Sequence, residues 1–463
     1  MKSTKRIFAA VLSCLLLLSL AACETPAPPQ PTEPPLPPAE VYDIAQAQLV
    51  SAPNRIMTYT ATTSRFVSGN TYTETVNATA SISAAGTEDM VAIVEENLQY
   101  GTLSATHLLS FCNGRAYSRI SGSTFGADMT AEDFLATQLP ATLLDADLYG
   151  SLSYRNHAEG TGILFTQPKA LEGWVNTPEG AVLVSASGLA ILDSTGALIQ
   201  TEYTAEYSCG DTVYSLQITL RCTTPAQLEL DPVHPEHPDA YTELSCLEAP
   251  KLLLRAADDI LSANQLTASA TEILDSQMIP LTRERKSQMT LSGRGENLSA
   301  KLANAVTLTD YRVQPSTSTQ VYNFFSGVCS LTIDDGIPSV QSNINANTMR
   351  TSIEDSLLSA LFATRYLAEA VITEEETSYR LDFVGNEDYC DDLTQALCDF
   401  FNLSLEDVNS HRDTVTSGYL CIDKASGLPV AMGMYFTRTH ISGEVPYVMS
   451  YQLDQVISMT PTE

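Results

Sequence analysis

Apolar residues recur at every second position in several stretches of the chain. Val76, Ala78, Ala80 and Ile82 alternate with polar residues, and so do Leu298, Ala300 and Leu302. Tyr214, Leu216, Ile218 and Leu220 repeat the pattern, as do Tyr447, Met449, Tyr451 and Leu453. A period of two buries one face of a strand and solvates the other, which predicts antiparallel sheet. Other stretches have helical spacing: Val41, Ile44 and Leu49 fall on one face, and Leu254, Ala257 and Leu261 on another. Thr130 predicts the cap of a helix through Leu139 that Pro140 stops. Thr351 with Glu354 predicts a capping box ahead of Ile353, Leu357 and Leu361. Tyr389, Leu393, Leu397 and Phe400 predict a further helix.

These elements occur twice. Ser187-Gly188-Leu189-Ala190-Ile191-Leu192-Asp193-Ser194-Thr195-Gly196-Ala197-Leu198 parallels Ser417-Gly418-Tyr419-Leu420-Cys421-Ile422-Asp423-Lys424-Ala425-Ser426-Gly427-Leu428, about 230 residues later. Both read as strand, Asp-to-Gly turn, strand, because Asp bonds its own backbone and Gly supplies positive φ. Phe111-Cys112-Asn113-Gly114 has the Asn-Gly hairpin signal, and Phe325-Ser326-Gly327 occupies the matching place. Each copy therefore reads helix, antiparallel strands, helices, closing strands. That predicts an α+β fold of two tandem repeats, each a curved antiparallel sheet with packing helices. The boundaries are repeat 1 over 41–227, a linker over 228–247 containing Pro232, Pro235 and Pro238, and repeat 2 over 248–463.

The N-terminus has a different pattern. Lys2, Lys5 and Arg6 precede an apolar run from Ile7 to Leu20 that ends in small residues, the order of a secretory signal peptide. The run is too short for a comfortable transmembrane helix. Leu20-Ala21-Ala22-Cys23 resembles the lipobox of bacterial lipoproteins. The resemblance implies a signal peptide over 1–22, cleavage before Cys23, and a lipid on its sulfur. Eight prolines between Pro26 and Pro38 then predict a semi-rigid polyproline II stalk over 23–40. No later stretch reaches the ~18 apolar residues of a membrane span, so the anchor is the expected membrane element.

Charge narrows the partners. The chain has 24 Lys+Arg against 55 Asp+Glu, a formal net charge of −31. Removing the signal peptide also removes Lys2, Lys5 and Arg6. Such a surface repels phosphate backbones and anionic headgroups, which argues against nucleic acid. Cys112, Cys209, Cys222, Cys246, Cys329, Cys390, Cys398 and Cys421 follow Cys14 and Cys23 without any C-x-x-C pair. Most read as small buried apolar residues, although an even count in an exported protein permits disulfides. Cys390 and Cys398, eight residues apart on one predicted helix, stand about 12 Å apart, too far for a bridge.

Candidate chemistry is sparse. His234 and His237 flank Pro235-Glu236, with Asp231 and Asp239 nearby; the prolines prevent a helical ligand pair, so these read as solvated linker rather than zinc ligands. Glu387, Asp388, Asp391 and Asp392 read as first-turn carboxylates that favour a helix dipole rather than a calcium or general-acid site. Asp145-x-Asp147 lacks the rest of an EF-hand loop, Asp334-Asp335-Gly336 reads as a turn, and Glu374 to Glu376 as a solvated run. His107, His157, His411 and His440 are isolated in sequence. No nucleophile-elbow, zincin, dinucleotide or P-loop motif is present, so neither an enzyme nor a cofactor or metal is expected.

The layout resembles the half-barrel lipoprotein-binding and lipid-carrying proteins of bacterial envelopes, the LolA, LppX and RseB-like group. Tyr419 to Pro429 matches that group's late-strand phrase, tyrosine-x-Ile/Leu-Asp-x-x-(Ser/Thr)-Gly-Leu-Pro, with one residue more between Tyr419 and Ile422, and Leu189 to Leu198 matches it more loosely. Tyr419 and Gly427 read as structural. The resemblance implies an apolar sheet face able to hold an acyl chain or a partner's hydrophobic segment. Two fused copies with a permanent anchor depart from a diffusing shuttle. The expected protein is thus lipid-anchored at Cys23 on the outer face of the cell membrane and binds an apolar acyl or glycolipid ligand. The alternative is a non-catalytic envelope sensor or protein-interaction module. The two differ in whether the sheet interiors are open or filled.

Overall fold

The computed structural model describes residues 36–459 apart from 68, 121–122, 138–145, 169–180, 232–239, 242–246, 248, 278–279, 311, 359–366, 386–413 and 443–444. The first sheet comprises β1 (Arg55–Val67), β2 (Asn70–Ser83), β3 (Val91–Tyr100), β4 (Leu103–Cys112), β5 (Arg115–Ile120), β6 (Ser123–Asp128), β7 (Tyr149–His157), β8 (Gly160–Pro168), β9 (Val182–Leu192), β10 (Leu198–Cys209), β11 (Thr212–Thr223) and the short β12 (Ala240–Tyr241). The second comprises β13 (Gln265–Ser276), β14 (Leu281–Ser292), β15 (Ser299–Asp310), β16 (Ser316–Phe325), β17 (Val328–Ile333), β18 (Ser339–Gln341), β19 (Leu367–Glu374), β20 (Ser378–Gly385), β21 (Thr414–Asp423), β22 (Pro429–Ser442) and β23 (Val445–Ser458). The described helices are α1 (Pro38–Ser51), α2 (Ala131–Thr137), α3 (Ala249–Ser262) and α4 (Ala346–Leu358).

The α+β expectation is corrected: 64 % of the described residues are strand and 16 % helix, so the fold is all-β with a few covering helices. The alternating segments extend into sheets 12 and 11 strands wide, and the helices lie against them as covers. The tandem repeat itself is met. Strand order is β12-β6-β5-β4-β3-β2-β1-β11-β10-β9-β8-β7 in one sheet and β18-β17-β16-β15-β14-β13-β23-β22-β21-β20-β19 in the other. Without β12 the two orders match strand for strand, β1 with β13 through β11 with β23. In each, the first strand pairs with the last. The chain then has to cross from one edge of the sheet to the other, and α2 or α4 lies in that crossing.

Local chemistry explains the shared turns. Asp193 Oδ1 accepts from the Thr195 amide and hydroxyl and from the Ala197 amide, and Asp423 Oδ1 accepts from the Ser426 amide and hydroxyl. The closing glycines, Gly196 and Gly427, have φ of +85° and +66°. The β4–β5 and β16–β17 hairpins turn on Asn113-Gly114 and Ser326-Gly327, with positive φ at all four residues.

Three finer expectations are corrected. Leu298 immediately precedes β15, the counterpart of β3, in which Ala300 and Leu302 lie, whereas Val76 to Ile82 belong to β2. Helix α1 buries Tyr42, Ala45 and Leu49 while Ile44 stays exposed, and α3 buries Leu253, Ala256 and Ile260 more deeply than Leu254, Ala257 and Leu261. Helix α4 starts a turn before Thr351: Asn345 Oδ1 accepts from the Asn347 and Thr348 amides, and Glu354 pairs with Arg350. Thr130 does cap α2, through the Asp133 amide at 3.0 Å. The helix expected around Tyr389 to Phe400 lies outside the described residues.

Candidate functional site: the inner sheet faces

The helix-bearing face of each sheet is its inner face, and the two are occupied differently. In the first sheet Glu96 and His107 stand directly opposite on β3 and β4. Glu96 accepts from the Tyr59 hydroxyl at 2.7 Å and sits 2.6 Å from His107 Nδ1; His107 Nε2 lies 2.8 Å from Ser118 Oγ. Lys251 Nζ of α3 completes the group, 2.7 Å from Glu96. Burial alone would raise the Glu96 carboxyl, but the hydrogen bonds and charges of His107 and Lys251 outweigh it and hold the carboxyl well below the usual range.

Hydroxyl, imidazole and carboxylate in this order form the constellation of an acyl-transfer triad. Ser118, however, is 0 % exposed beneath the junction of the repeats. A substrate carbonyl would have to displace that packing, and the geometry instead fixes Lys251 to the sheet. Sequence reading missed the group because its members are 11 residues apart on successive strands and meet only through register.

Lys251 belongs to a charged stripe. Arg255 Nη2 is 2.7 Å from Glu74 Oε2, and Arg65 Nη2 is 2.5 Å from Asp259 Oδ1. Asp258 Oδ1 accepts from the Thr102 amide and hydroxyl at 2.8 Å each and from the Leu103 amide at 3.2 Å. Burial pushes the Asp259 carboxyl up to about 6 although Arg65 opposes the shift. Arg65 also donates to the Gly427 carbonyl at 2.6 Å, and Tyr214 to the Ala425 carbonyl, so the Asp423–Gly427 turn is seated on the first sheet. One face of α3 thus binds the first sheet, while Leu253, Ala256 and Ile260 lie in the common apolar core.

The second sheet is less filled. A cavity of about 260 Å³ lies between α4 and strands β14 to β17, lined by Met289, Ala300, Leu302, Phe324, Cys329 and Ile353, with Tyr322, Met349 and Ser352 completing the wall. Arg350 holds α4 in place, donating to the carbonyls of Gly293, Leu261 and Ala263 at 2.8–3.1 Å. Counting paired positions from the β2–β3 and β14–β15 turns matches Ala92 with Ala300 and, across the next pair, Phe111 with Phe324. In the first sheet Phe134 of α2 packs on Phe111, ring centroids 5.0 Å apart. In the second that space is the cavity.

A larger recess of about 420 Å³ opens on the outer face, among Arg380, Asp382, Tyr419, Tyr435, Gln452 and Asp454. Arg380 stacks on Tyr419, whose hydroxyl donates to Asp454. An apolar chain there would desolvate the carboxylates of Glu369, Asp382 and Asp454, so size does not favour it over the smaller apolar cavity.

Cys23, His234, Glu236, His237 and Asp239 of the linker, and Glu387 to Asp392 lie outside the described residues, while Asp231 is exposed. Asp334-Asp335-Gly336 is a turn, in which Asp334 accepts from the Thr319 amide. The five described cysteines are buried. Among the described residues no three His, Cys, Asp or Glu converge on a metal position, and no helix is long and apolar enough to cross a membrane.

No family model and no curated protein matches the chain. Among solved structures it is similar to LprF from Mycobacterium bovis, at 9 % identity and a TM-score of 0.27 over 47 % of this chain and 95 % of that one. It is also similar to a putative AttH from Nitrosomonas europaea, at 8 % identity and 0.13 over 87 % and 92 %. A third similarity is to OccK5 from Pseudomonas aeruginosa, at 7 % and 0.10 over 87 % and 97 %. At such scores these likenesses carry no argument about function, which rests on the chain's own geometry.

Proposed function

We propose that this chain is a lipid-anchored extracytoplasmic binding protein whose second repeat, within 248–463, holds an acyl or glycolipid chain between the sheet and helix α4. The apolar cavity beneath α4 carries the reading: its lining is almost entirely hydrocarbon and sulfur, and its volume suits part of an acyl chain rather than a polar solute. The lipobox at Cys23 and the proline stalk supply the membrane attachment and the outward location. The first repeat, within 41–227, supports the interaction-module reading for its own half, because its inner face is filled by Phe134 and by helix α3.

The test is native mass spectrometry with lipid extraction on the exported chain carrying Cys23→Ser, so that any lipid found is ligand rather than anchor. One co-purifying lipid per chain is expected, and Ala300→Phe, which fills the cavity, should remove it. A bare mass after incubation with envelope lipid extract overturns the reading.

A further inference from the structure

The two repeats meet head to tail, and the surfaces used at that junction recur, unused, at the two ends of the molecule. At the junction β12 pairs with the β6 edge of the first sheet and lies against β19, an edge of the second. Helix α3 covers the inner face of the first sheet alongside. Among the described strands this leaves two outer edges, β7 of the first sheet and β18 of the second. The first carries α1 beside it, as β19 carries α3.

The second sheet keeps apolar residues where the first is covered. Register matches Tyr100 with Leu308 and Ile120 with Ile333. Tyr100 and Ile120 are 2 % and 1 % exposed and pack with Leu254 of α3, whereas Leu308 and Ile333 are 39 % and 48 % exposed. Ile337 and Val340 at the β18 edge are exposed as well. Charge is inverted at the same place. In the same register Arg283, opposite Leu308 as Glu74 is opposite Tyr100, stands where Glu74 receives Arg255. Arg283 and Arg285 both pair with the carboxylate of Glu272.

Helix α1 offers the complement. Its buried Tyr42, Ala45 and Leu49 correspond in spacing to Leu253, Ala256 and Ile260 of α3. Its other face, corresponding to the face of α3 that binds the first sheet, is exposed and carries Glu40, Asp43 and Ile44. We propose that this acidic face of α1 docks on the exposed inner face of the second sheet of another copy, around Arg283, Leu308 and Ile333. The contact repeats between molecules the junction found within one. It is heterologous, so it does not close at a dimer. Two-dimensional confinement by the lipid anchor would raise the effective concentration of the ends for each other.

The test is sedimentation velocity over a concentration series on the exported chain carrying Cys23→Ser, with variants at residues that are exposed and so dispensable for folding. The unmodified surface should give a mass that climbs past the dimer with concentration and falls with added salt. Glu40→Arg with Asp43→Arg should weaken association at least about tenfold by like-charge contact with Arg283 and Arg285, and Ile333→Asp by a similar factor. Mixing the two variants is decisive, since each retains one working end: a one-to-one dimer that grows no further is expected. A chain that stays monomeric throughout, variants that associate as before, or a mixture that remains monomeric overturns the proposal.

Discussion

The two sheets share one strand order and put different chemistry at the same register positions. On the inner face of the first, Tyr59, Glu96 and His107 form a row that receives Lys251. The same steps through the second sheet give Ala270, Asn304 and Gln320. The first sheet buries an ionised carboxylate and satisfies it with three partners. The second has no charged residue at those three positions, and an apolar cavity lies beside them. One topology therefore serves as a mount for its neighbour in one copy and as an open receptor in the other. The difference resides in a few inward residues that leave the alternation itself unchanged.

The largest effect comes from removing the mount. Glu96→Ala leaves Lys251 and His107 buried without their carboxylate, a loss of about 3–5 kcal/mol, read as a drop in the urea midpoint. Asn304→Ala at the matching position should cost under about 1 kcal/mol, as expected for a half-buried amide outside any charge network. Equal losses would break the comparison.

The junction also titrates. The Asp259 carboxyl, raised by burial to about 6, holds its proton more tightly in the folded state than in the unfolded chain, where it titrates near the ordinary value. Its contribution is therefore fully present below about pH 4 and is lost as pH rises through about 6, by about 2–3 kcal/mol. Glu96 runs the other way, since its lowered carboxyl contributes above about pH 4 and loses that contribution only in stronger acid. Stability measured by urea at pH 4.5 and 7 should thus fall with pH, and Asp259→Asn should flatten the fall while keeping a donor–acceptor contact with Arg65. A slope unchanged by that substitution would place the titration elsewhere.

Much of this organisation was legible in the chain. Period-two alternation located the strands, and the Asp-to-Gly turns exposed the duplication before any pairing was known. Three things were hidden, each for a physical reason. The balance of sheet and helix depends on how far strands extend, and Thr- and Ser-rich strands such as β1 and β2 show little apolar alternation over their outer halves. The buried face of α3 was misjudged because its charged residues point inward, where Glu74, Glu96 and Arg65 neutralise them. The Glu96–His107–Ser118 group left no local trace, since partners on successive strands are set by register.

A filled and an unfilled interior respond oppositely to added volume. Ala92 is fully buried in the core around Phe111 and Phe134, and Ala92→Phe should cost about 1–3 kcal/mol by overpacking. Ala300, its counterpart, borders the cavity, and Ala300→Phe should be close to neutral in stability because the ring enters existing space. Thermal melts of the two variants, run with the lipid assay described above, sharpen the comparison: a stable Ala300→Phe that has lost its lipid assigns the cavity to binding rather than to loose packing.

The smallest effect distinguishes how the two crossing helices begin. Thr130 caps α2 through the Asp133 amide, and Asn345 caps α4 through the Asn347 and Thr348 amides. The sequence around α4 also offers Thr351 with Glu354 as a box, but Arg350 occupies Glu354, and the helix is already a turn old by then. Asn345→Ala should therefore lower stability by about 1 kcal/mol, as should Thr130→Ala in the first repeat, while Thr351→Ala should change it by a few tenths at most. The cap at Asn345 also sets the first turn of the helix that roofs the cavity, so its loss should loosen Met349 and shorten the retention of bound lipid. If Thr351→Ala proves the costlier change, α4 begins later than the hydrogen bonds place it, and the roof over the second sheet is shorter by a turn.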